Sequence, residues 1–161
     1  MMIRNATIDD LDDIVQLEHS CFPSNEAASG KDLKDRLIHY PNHFWLLYEE
    51  EKLVSLVDGL CCNIEDLTDE MFHNAGMHDE NGQVQMILGV CTHPNFRKKG
   101  YSSALLNQLI GDCKKQNRKS IVLTCKESLV GFYSKFGFVD EGLSQSSHGG
   151  EQWNQVRLKL D

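Results

Sequence analysis

The chain lacks several features that would each point to a class of protein. It has three prolines in 161 residues, too few for proline-rich linkers. No apolar run approaches the roughly 18 residues of a membrane helix. Its six cysteines form no C-x-x-C pair, and Met1 to Thr7 has no apolar signal-peptide core. We therefore expect reduced thiols, a cytoplasmic location and no membrane association.

Positive charge is also scarce. The chain has 16 Lys and Arg residues and 24 Asp and Glu residues, which gives a net charge of -8. This balance disfavours general nucleic-acid binding and suits a cationic substrate. The hydrophobic content of 40% in a chain of this length fits one globular domain over residues 1–161.

The cations that are present include one dense cluster. Arg97, Lys98 and Lys99 precede Gly100, between an apolar strand at Val84–Cys91 and an amphipathic helix. Glycine permits close approach of a ligand, and the first amides of a helix have no intrahelical partner. The turn therefore predicts a diphosphate site, although a basic triplet alone is also typical of a solvated helix entrance. The run matches neither G-x-x-x-x-G-K-[ST] nor G-x-G-x-x-G, which argues against a P-loop or dinucleotide fold.

Hydrophobic periodicity predicts an α/β fold, with one mixed central sheet and helices on both faces. Thr7 and Asp10 form a capping-box pattern before the first helix. Residues 64–82 are acidic and irregular, and we expect a surface excursion with one short helix. The predicted strands are 2–6, 44–48, 53–60, 84–91, 120–125, 138–139 and 153–160, and the predicted helices carry 11–18, 31–40, 105–113 and 129–136.

Two motifs resemble those of the GNAT family of N-acetyltransferases. Residues 97–102 resemble its R/Q-x-x-G-x-G/A acetyl-coenzyme A motif, and 129–138 resemble its later helix with the F-Y-x-x-x-G-F ending. The resemblance covers nearly the whole chain and implies a single-domain GNAT-type fold. Within the family, residues 21–29 and 124–130 resemble the arylalkylamine (serotonin-like) N-acetyltransferases. The resemblance implies transfer of an acetyl group from acetyl-CoA to a small primary amine, arylalkyl or similar, by direct attack.

The resemblance also implies which residues bind the coenzyme. The end of the strand would lie beside the pantetheine arm, and the amide near Val90 would polarise the thioester carbonyl. Ser102 replaces the usual Gly or Ala of the motif, and we expect its hydroxyl to donate to a phosphate. The implied set is Val90, Cys91, Thr92, Arg97, Lys98, Lys99, Gly100, Tyr101, Ser102 and Ser103.

Two residues are candidates for proton transfer. Tyr133 occupies the position of the family's acid tyrosine and would protonate the departing thiolate, although its spacing also suits a core aromatic. Glu26 resembles the glutamate proposed as base in invertebrate arylalkylamine acetyltransferases, although most loop glutamates are solvated and deprotonation through water is the alternative. Two histidines found in vertebrate serotonin N-acetyltransferases are replaced here by Met86 and Leu88, so a histidine relay at those positions is not expected.

The remaining residues give further expectations. Phe22, Phe44 and Trp45 would suit an aromatic amine near the entrance or would belong to the core. His93 would face the coenzyme, while the other six histidines show no ligand spacing, so no metal site is predicted. Cys91 and Cys125 are expected to be inert packing residues.

The acceptor and the activity itself remain open at this point. A non-catalytic acyl-CoA-binding or sensing module is one alternative, because the histidine pair is absent. Acetylation of a protein amine is another, since the acidic segment 64–82 would attract a basic tail. A homodimer is also left open.

Overall fold

The computed structural model describes residues 1–161, with nine strands and four helices joined by loops and short 3-10 turns. The strands are β1 (Met2–Asn5), β2 (Phe44–Glu49), β3 (Lys52–Asp58), β4 (Cys61–Cys62), β5 (Val84–Ile87), β6 (Gly89–Thr92), β7 (Ser120–Cys125), β8 (Val139–Leu143) and β9 (Asn154–Lys159). The helices are α1 (Leu11–Cys21), α2 (Gly30–His39), α3 (Tyr101–Lys115) and α4 (Val130–Ser134).

Local sequence signals explain where the first two helices begin and end. The Thr7 amide donates to the Asp10 carboxylate at 2.8 Å, which completes the capping box predicted before α1. Phe22 is extended and ends α1 just before Pro23. Ser29 caps α2 by accepting the Asp32 amide at 3.1 Å. The polar segment between the two helices is therefore held at both ends.

The strands form two sheets, and the chain crosses between them three times. The first sheet has the order β1-β2-β3-β6 and is antiparallel throughout. The second has the order β4-β5-β7-β9-β8, in which only β5 and β7 are parallel. The β3–β4, β5–β6 and β6–β7 segments each pass from one sheet to the other. In the β3–β4 segment, a Cβ on Gly59 would lie 1.8 Å from the Met86 carbonyl oxygen, so only glycine fits.

The predicted single strand at Val84–Cys91 is two strands that separate at Leu88. Two consecutive residues are opposite Asp58 here. The Leu88 amide donates to the Asp58 carbonyl at 2.7 Å, and Gly89 is the residue that pairs with Asp58 in the β3–β6 ladder. This irregularity redirects the chain, as a bulge does. The β-propensity of the run could not reveal the break, because apolar residues continue on both sides of it.

Helices cover both faces of the first sheet, as predicted. Alternate residues of β2 point to opposite sides: Phe44, Leu46 and Tyr48 join the core under α1 and α2, whereas Trp45 and Leu47 join the core under α3. Phe44 and Trp45 are almost completely buried, so of the two alternatives stated for them, entrance or core, the structure favours the core.

The acidic segment 64–82 is more firmly attached than expected. It contains two 3-10 turns, Asp69–Phe72 and Ala75–Met77, instead of one short helix. Met71 and Phe72 are buried, and the Phe72 carbonyl accepts a hydrogen bond from Arg36 at 2.9 Å. Apolar residues at spaced positions therefore anchor this segment to the core. No helix of the structure combines the length and apolar character needed to cross a bilayer.

A cleft opens where the two sheets diverge. β5 pairs with β7 as far as Ile87 and Leu123, but β6 turns away to pair with β3. β6 is thus the edge of the first sheet. The His93 amide donates to the Val54 carbonyl, and in an antiparallel ladder every second residue bonds to the neighbouring strand. Thr92 and Val90 are the residues that alternate with the bonded ones, so their main-chain groups point away from β3 and into the cleft.

Candidate active site

Two adjoining cavities occupy the cleft. We call the larger one, of about 490 Å³, the outer groove; it runs along β6 and the basic turn to α4. The smaller one, of about 100 Å³, is the inner cavity; it lies between the ends of β5 and β7. The two share the side chains of Phe22, Val90, Leu129 and Tyr133, so a ligand in one cavity can reach a ligand in the other at this junction.

The outer groove brings together nine of the ten residues predicted to bind a coenzyme. Lys99 is the exception, because its ammonium lies over the Phe96 ring, 5.4 Å from the centroid. The nine residues are Val90, Cys91, Thr92, Arg97, Lys98, Gly100, Tyr101, Ser102 and Ser103.

The basic turn has the backbone geometry of an anion site. Gly100 is left-handed, with φ of 80°, and precedes the first residue of α3. Lys98 also has a positive φ, 65°. The amides of Tyr101, Ser102 and Ser103 open the helix and have no carbonyl four residues back within it. These donors and the helix dipole favour a negative group beside Lys98 and Arg97.

A chain of hydroxyls holds the turn against the sheet. Ser55 donates to the Cys91 carbonyl at 3.0 Å, and its oxygen lies 2.9 Å from the Thr92 hydroxyl, which lies 2.6 Å from the Ser102 hydroxyl. Because the single Ser55 proton is used, Thr92 must donate to Ser55, and Ser102 must donate to Thr92. The Ser102 hydroxyl proton is therefore not free for a phosphate, contrary to our expectation, and only its amide remains as a donor.

Tyr133 lies at the junction of the two cavities. Its ring packs edge-to-face on Phe132 and Phe138, with centroid distances of 5.1 and 5.9 Å. Burial, together with the nearby Cys125 thiol, raises the pKa of the phenol well above its usual value, so the hydroxyl is protonated at neutral pH. The ring is part of the core, and the same residue lines both cavities.

Glu26 lies in the inner cavity but is not a free carboxylate. The residue is 9% exposed, and its two carboxylate oxygens lie 3.2 and 3.3 Å from the Lys126 ammonium. Its carbonyl also accepts a hydrogen bond from His148 Nε2 at 2.9 Å. The structure thus places Glu26 as a buried, paired carboxylate and not as a solvated loop residue.

Sequence reasoning missed a second carboxylate in the inner cavity. Glu18 of α1 is 4% exposed; its Oε2 accepts the Ala28 amide at 3.1 Å, and its Oε1 has no hydrogen-bond partner. Burial, reinforced by the Asp58 charge, raises the pKa of Glu18 to about 7. The available signal was a glutamate on the apolar face of α1, four residues after Ile14 and seven after Leu11.

Aromatic side chains wall the inner cavity. His148 stacks on Phe72 with ring centroids 4.3 Å apart, and Trp153 donates from Nε1 to the His148 carbonyl at 2.7 Å. Of the aromatics predicted near the entrance, Phe22 alone lines this cavity. Phe72 comes from the 64–82 segment, and His148 and Trp153 come from the loop between β8 and β9. These segments lie too far from Phe22 in the sequence for residue spacing to reveal that they meet.

A cluster of His43, His78 and Glu80 lies outside the cleft, with ligand atoms within 4.8 Å of one another. Sequence spacing did not predict this meeting. His78 Nδ1 accepts the Cys61 amide at 3.0 Å, so its Nε2 carries the proton and donates to Glu80 at 3.0 Å. This tautomer leaves His78 without a lone pair for an ion, and the cluster fits a hydrogen-bond network better than a metal centre.

His93 does not line the outer groove. Its Nδ1 accepts the Asn95 amide at 3.1 Å and so caps the turn at Pro94–Phe96. The expectation that it faces a coenzyme is therefore wrong. The histidine before proline is used to shape the approach to the basic turn.

The cysteines differ in their acidity. Burial raises the pKa of Cys125 to about 11, and hydrogen bonding with Cys21 together with burial raises the pKa of Cys91 well above its usual value, in agreement with inert packing. Cys21 lines the outer groove, and hydrogen bonding from Cys91 and the charge of Arg97 lower its pKa to about 7. Cys21 is the one cysteine whose pKa is lowered, and the sequence did not single it out.

Comparisons with known proteins agree with this architecture. A model of the acetyltransferase (GNAT) domain matches residues 2–139. Serotonin N-acetyltransferase of Mesocricetus auratus is 33% identical over 114 residues, which are 70% of this chain and 54% of the relative. An uncharacterised N-acetyltransferase of Methanocaldococcus jannaschii is 26% identical over 144 residues, 86% of this chain and 61% of the relative. The chain thus spans about three fifths or less of the curated relatives it matches.

Solved structures share the fold at low identity. A GNAT-like decarboxylase, GphF, in complex with isobutyryl-CoA superposes with a TM-score of 0.87 at 20% identity and full coverage of both chains. The PaiA N-acetyltransferase of Thermoplasma acidophilum in complex with coenzyme A superposes at 0.72 with 15% identity, covering 99% of this chain and 98% of that one. With the family model matching most of its length, the chain belongs to the GNAT acetyltransferase family.

Proposed function

We propose that this protein transfers an acetyl group from acetyl-CoA to a small primary amine. The observation that carries this proposal is the junction, at Val90 and Tyr133, of a groove lined by Arg97 and Lys98 with a cavity lined by Glu18 and Glu26. Exposed cations suit a coenzyme diphosphate, and a cavity with an unpaired carboxylate oxygen suits an ammonium group. The solved relatives that contain coenzyme A or an acyl-CoA support the choice of donor.

The coenzyme would lie in the outer groove. Its diphosphate binds the first amides of α3 with Lys98 and Arg97, and its pantetheine arm pairs with the main-chain groups of Val90 and with the Thr92 amide, since the Thr92 carbonyl already accepts hydrogen bonds from Cys21 and Arg97. The Val90 amide then points at the thioester carbonyl, where one such donor is worth ~3 kcal/mol of barrier lowering. No covalent enzyme intermediate is required, because donor and acceptor meet directly at the junction.

The reaction is a direct displacement. The amine nitrogen forms a bond to the acetyl carbon, the carbon–sulfur bond breaks, and the electron pair leaves on the coenzyme sulfur. Tyr133 donates its proton to that thiolate, and the phenol is reprotonated as the nitrogen loses its proton. The high pKa of Tyr133 keeps the proton available at neutral pH.

The inner cavity supports an amine with a slim ammonium end. Its volume of about 100 Å³ is less than the ~150 Å³ that holds benzene in an engineered cavity. The amino group and its first carbons fit inside, and an aromatic ring must extend beyond the cavity as it stands. Serotonin N-acetyltransferase as a relative favours arylalkylamines within this class.

An amine panel tests the proposal. Release of the coenzyme thiol is followed with short alkylamines, arylalkylamines and a peptide with a free amino terminus, and the acetylated product is identified by mass spectrometry. We expect turnover with primary amines whose first two carbons are unbranched. Coenzyme binding without turnover on any amine would instead indicate a binding or sensing module, and turnover confined to peptide would indicate a protein acetyltransferase.

A further inference from the structure

Two buried carboxylate oxygens in the molecule have no hydrogen-bond partner. They are Glu18 Oε1 and Asp58 Oδ1, on residues that are 4% and 0% exposed. Buried polar atoms are nearly always paired, because losing hydration without a replacement is costly. Two such atoms of the same charge, near each other, indicate a place that receives a proton, water or a cation.

Both oxygens face the same point, next to Gly89 of β6. A Cβ built on Gly89 would lie 2.7 Å from Asp58 Oδ1 and 3.6 Å from Glu18 Oε1. The missing side chain therefore lets both carboxylate oxygens approach the backbone at this point, which a Cβ would crowd. Gly89 and Glu18 both line the inner cavity, so this space adjoins the acceptor side of the junction.

The charges around Glu18 leave its negative form undercompensated. Arg36 of α2 forms an ion pair with Asp58 at 3.2 Å, and its second terminal nitrogen donates a hydrogen bond to the Phe72 carbonyl. The other titratable groups that act on Glu18 or feel its charge are Cys21 on its own helix and Cys91 on β6. One guanidinium therefore serves two carboxylates, and Glu18 makes its only hydrogen bond with a neutral amide.

We propose that Glu18 receives the ammonium group of the acceptor and takes the proton that frees the nitrogen for attack. The inference rests on the proposed acetyl transfer. The carboxylate becomes a carboxylic acid and the ammonium a neutral amine, after which Glu18 returns its proton to solvent. Asp58 is a positioning residue that disfavours a second negative charge nearby and so keeps Glu18 ready to accept a proton.

Glu26 is the less suitable base of the two. Its carboxylate is already neutralised by Lys126, so taking a proton would break that ion pair. Glu18 would lose no ion pair on protonation. The two glutamates line the same cavity, and the change Glu→Gln at each forms a matched pair of variants.

The activity experiment compares the pH profile of kcat/KM for the wild type, Glu18→Gln and Glu26→Gln, with amines of several pKa values. We expect an acidic limb near pH 7 that stays fixed as the amine changes, that disappears in Glu18→Gln with a ~10²-fold loss of rate, and that persists in Glu26→Gln. Retention of both the limb and the rate by Glu18→Gln would overturn the proposal. Coenzyme affinity, measured in parallel, verifies that each variant is folded.

A binding experiment separates this inference from the proposed function. Protein labelled with ¹³C at the glutamate carboxyl carbons is titrated with pH and then with 2-phenylethylamine. We expect one resonance that titrates near pH 7, shifts on amine addition, and is absent from Glu18→Gln but present in Glu26→Gln. If no amine is acetylated but this resonance shifts on amine addition, the proposed function is refuted and amine binding at Glu18 is not. If the resonance does not shift on amine addition, the role of Glu18 is refuted.

Discussion

The outer groove and the inner cavity differ in how the chain builds them. Most of the groove comes from one stretch, Val90 to Ser103, in which strand, turn and helix follow without interruption. The cavity takes residues from α1, the loop after it, β5–β7, α4, the 64–82 segment and the loop before β9. The groove is thus a local structure, whereas the cavity exists only after the whole chain has folded.

The two also hold charge in different ways. The cations at Arg97, Lys98 and Lys99 are exposed and keep their hydration. The carboxylates of Glu18 and Asp58 are buried, so each changes the pKa of its neighbours. Exposed charge attracts a ligand and is weakened by salt, while buried charge controls where a proton resides.

The largest expected effect lies at the junction of the two regions. Tyr133→Phe should keep coenzyme affinity, since the ring still packs on Phe132 and Phe138, and should lower kcat by ~10²-fold or more through loss of the proton donor. Steady-state kinetics and coenzyme titration measure both quantities. Tyr48→Phe, on the far side of the first sheet, is the control and should keep its kcat. Normal turnover by Tyr133→Phe would assign the acid to water or another group.

The second prediction concerns the stability of the inner cavity. Burial raises the pKa of Glu18 from its ordinary 4.5 to about 7 in the folded protein, so the folded state binds an extra proton and loses stability as the pH rises from about 4.5 through 7. Glu18→Gln should therefore raise the free energy of unfolding at pH 8 by up to ~3 kcal/mol and leave it nearly unchanged at pH 4. Urea unfolding at both pH values measures this difference. An equal effect at both pH values would contradict the assignment.

The third prediction concerns the groove. Lys98→Glu should weaken coenzyme A binding ~10-fold and flatten its salt dependence, because a charge-assisted contact to a phosphate becomes a repulsion. Lys114→Glu makes the same change of charge at the exposed far end of α3 and should leave binding intact. Calorimetric titration at two salt concentrations compares them. Equal coenzyme A affinity of the two variants would contradict the assignment of the diphosphate to the basic turn.

The smallest expected effect is chemical labelling of the groove. Cys21, with its pKa lowered to about 7, should react with iodoacetamide at neutral pH severalfold faster than the other five cysteines. Coenzyme A should slow that reaction, since Cys21 lines the groove beside Thr92. Peptide mapping by mass spectrometry measures the site and rate. Labelling that coenzyme A does not slow would place the ligand elsewhere.

Sequence reasoning did best where the determining contacts are local. The capping box at Thr7 and Asp10, the strands β2 and β3, and the helix after Gly100 depend on neighbours within a few residues, and each was predicted. It did worst where a feature depends on two distant strands. The break at Leu88 exists because β6 pairs with β3 whereas β5 pairs with β7. No residue near Leu88 indicates this change of partner.

The sequence by itself determined the α/β class, the basic turn, the position of Tyr133 on its helix and the GNAT family, because each depends on residue types at short, fixed spacing. Only the tertiary structure decided that Phe44 and Trp45 are core, that Lys126 neutralises Glu26, and that Glu18 and Asp58 face the same space beside Gly89. The physical reason is that burial and ion pairing are properties of the assembled surroundings, and folding brings together residues that are 100 or more positions apart in the chain.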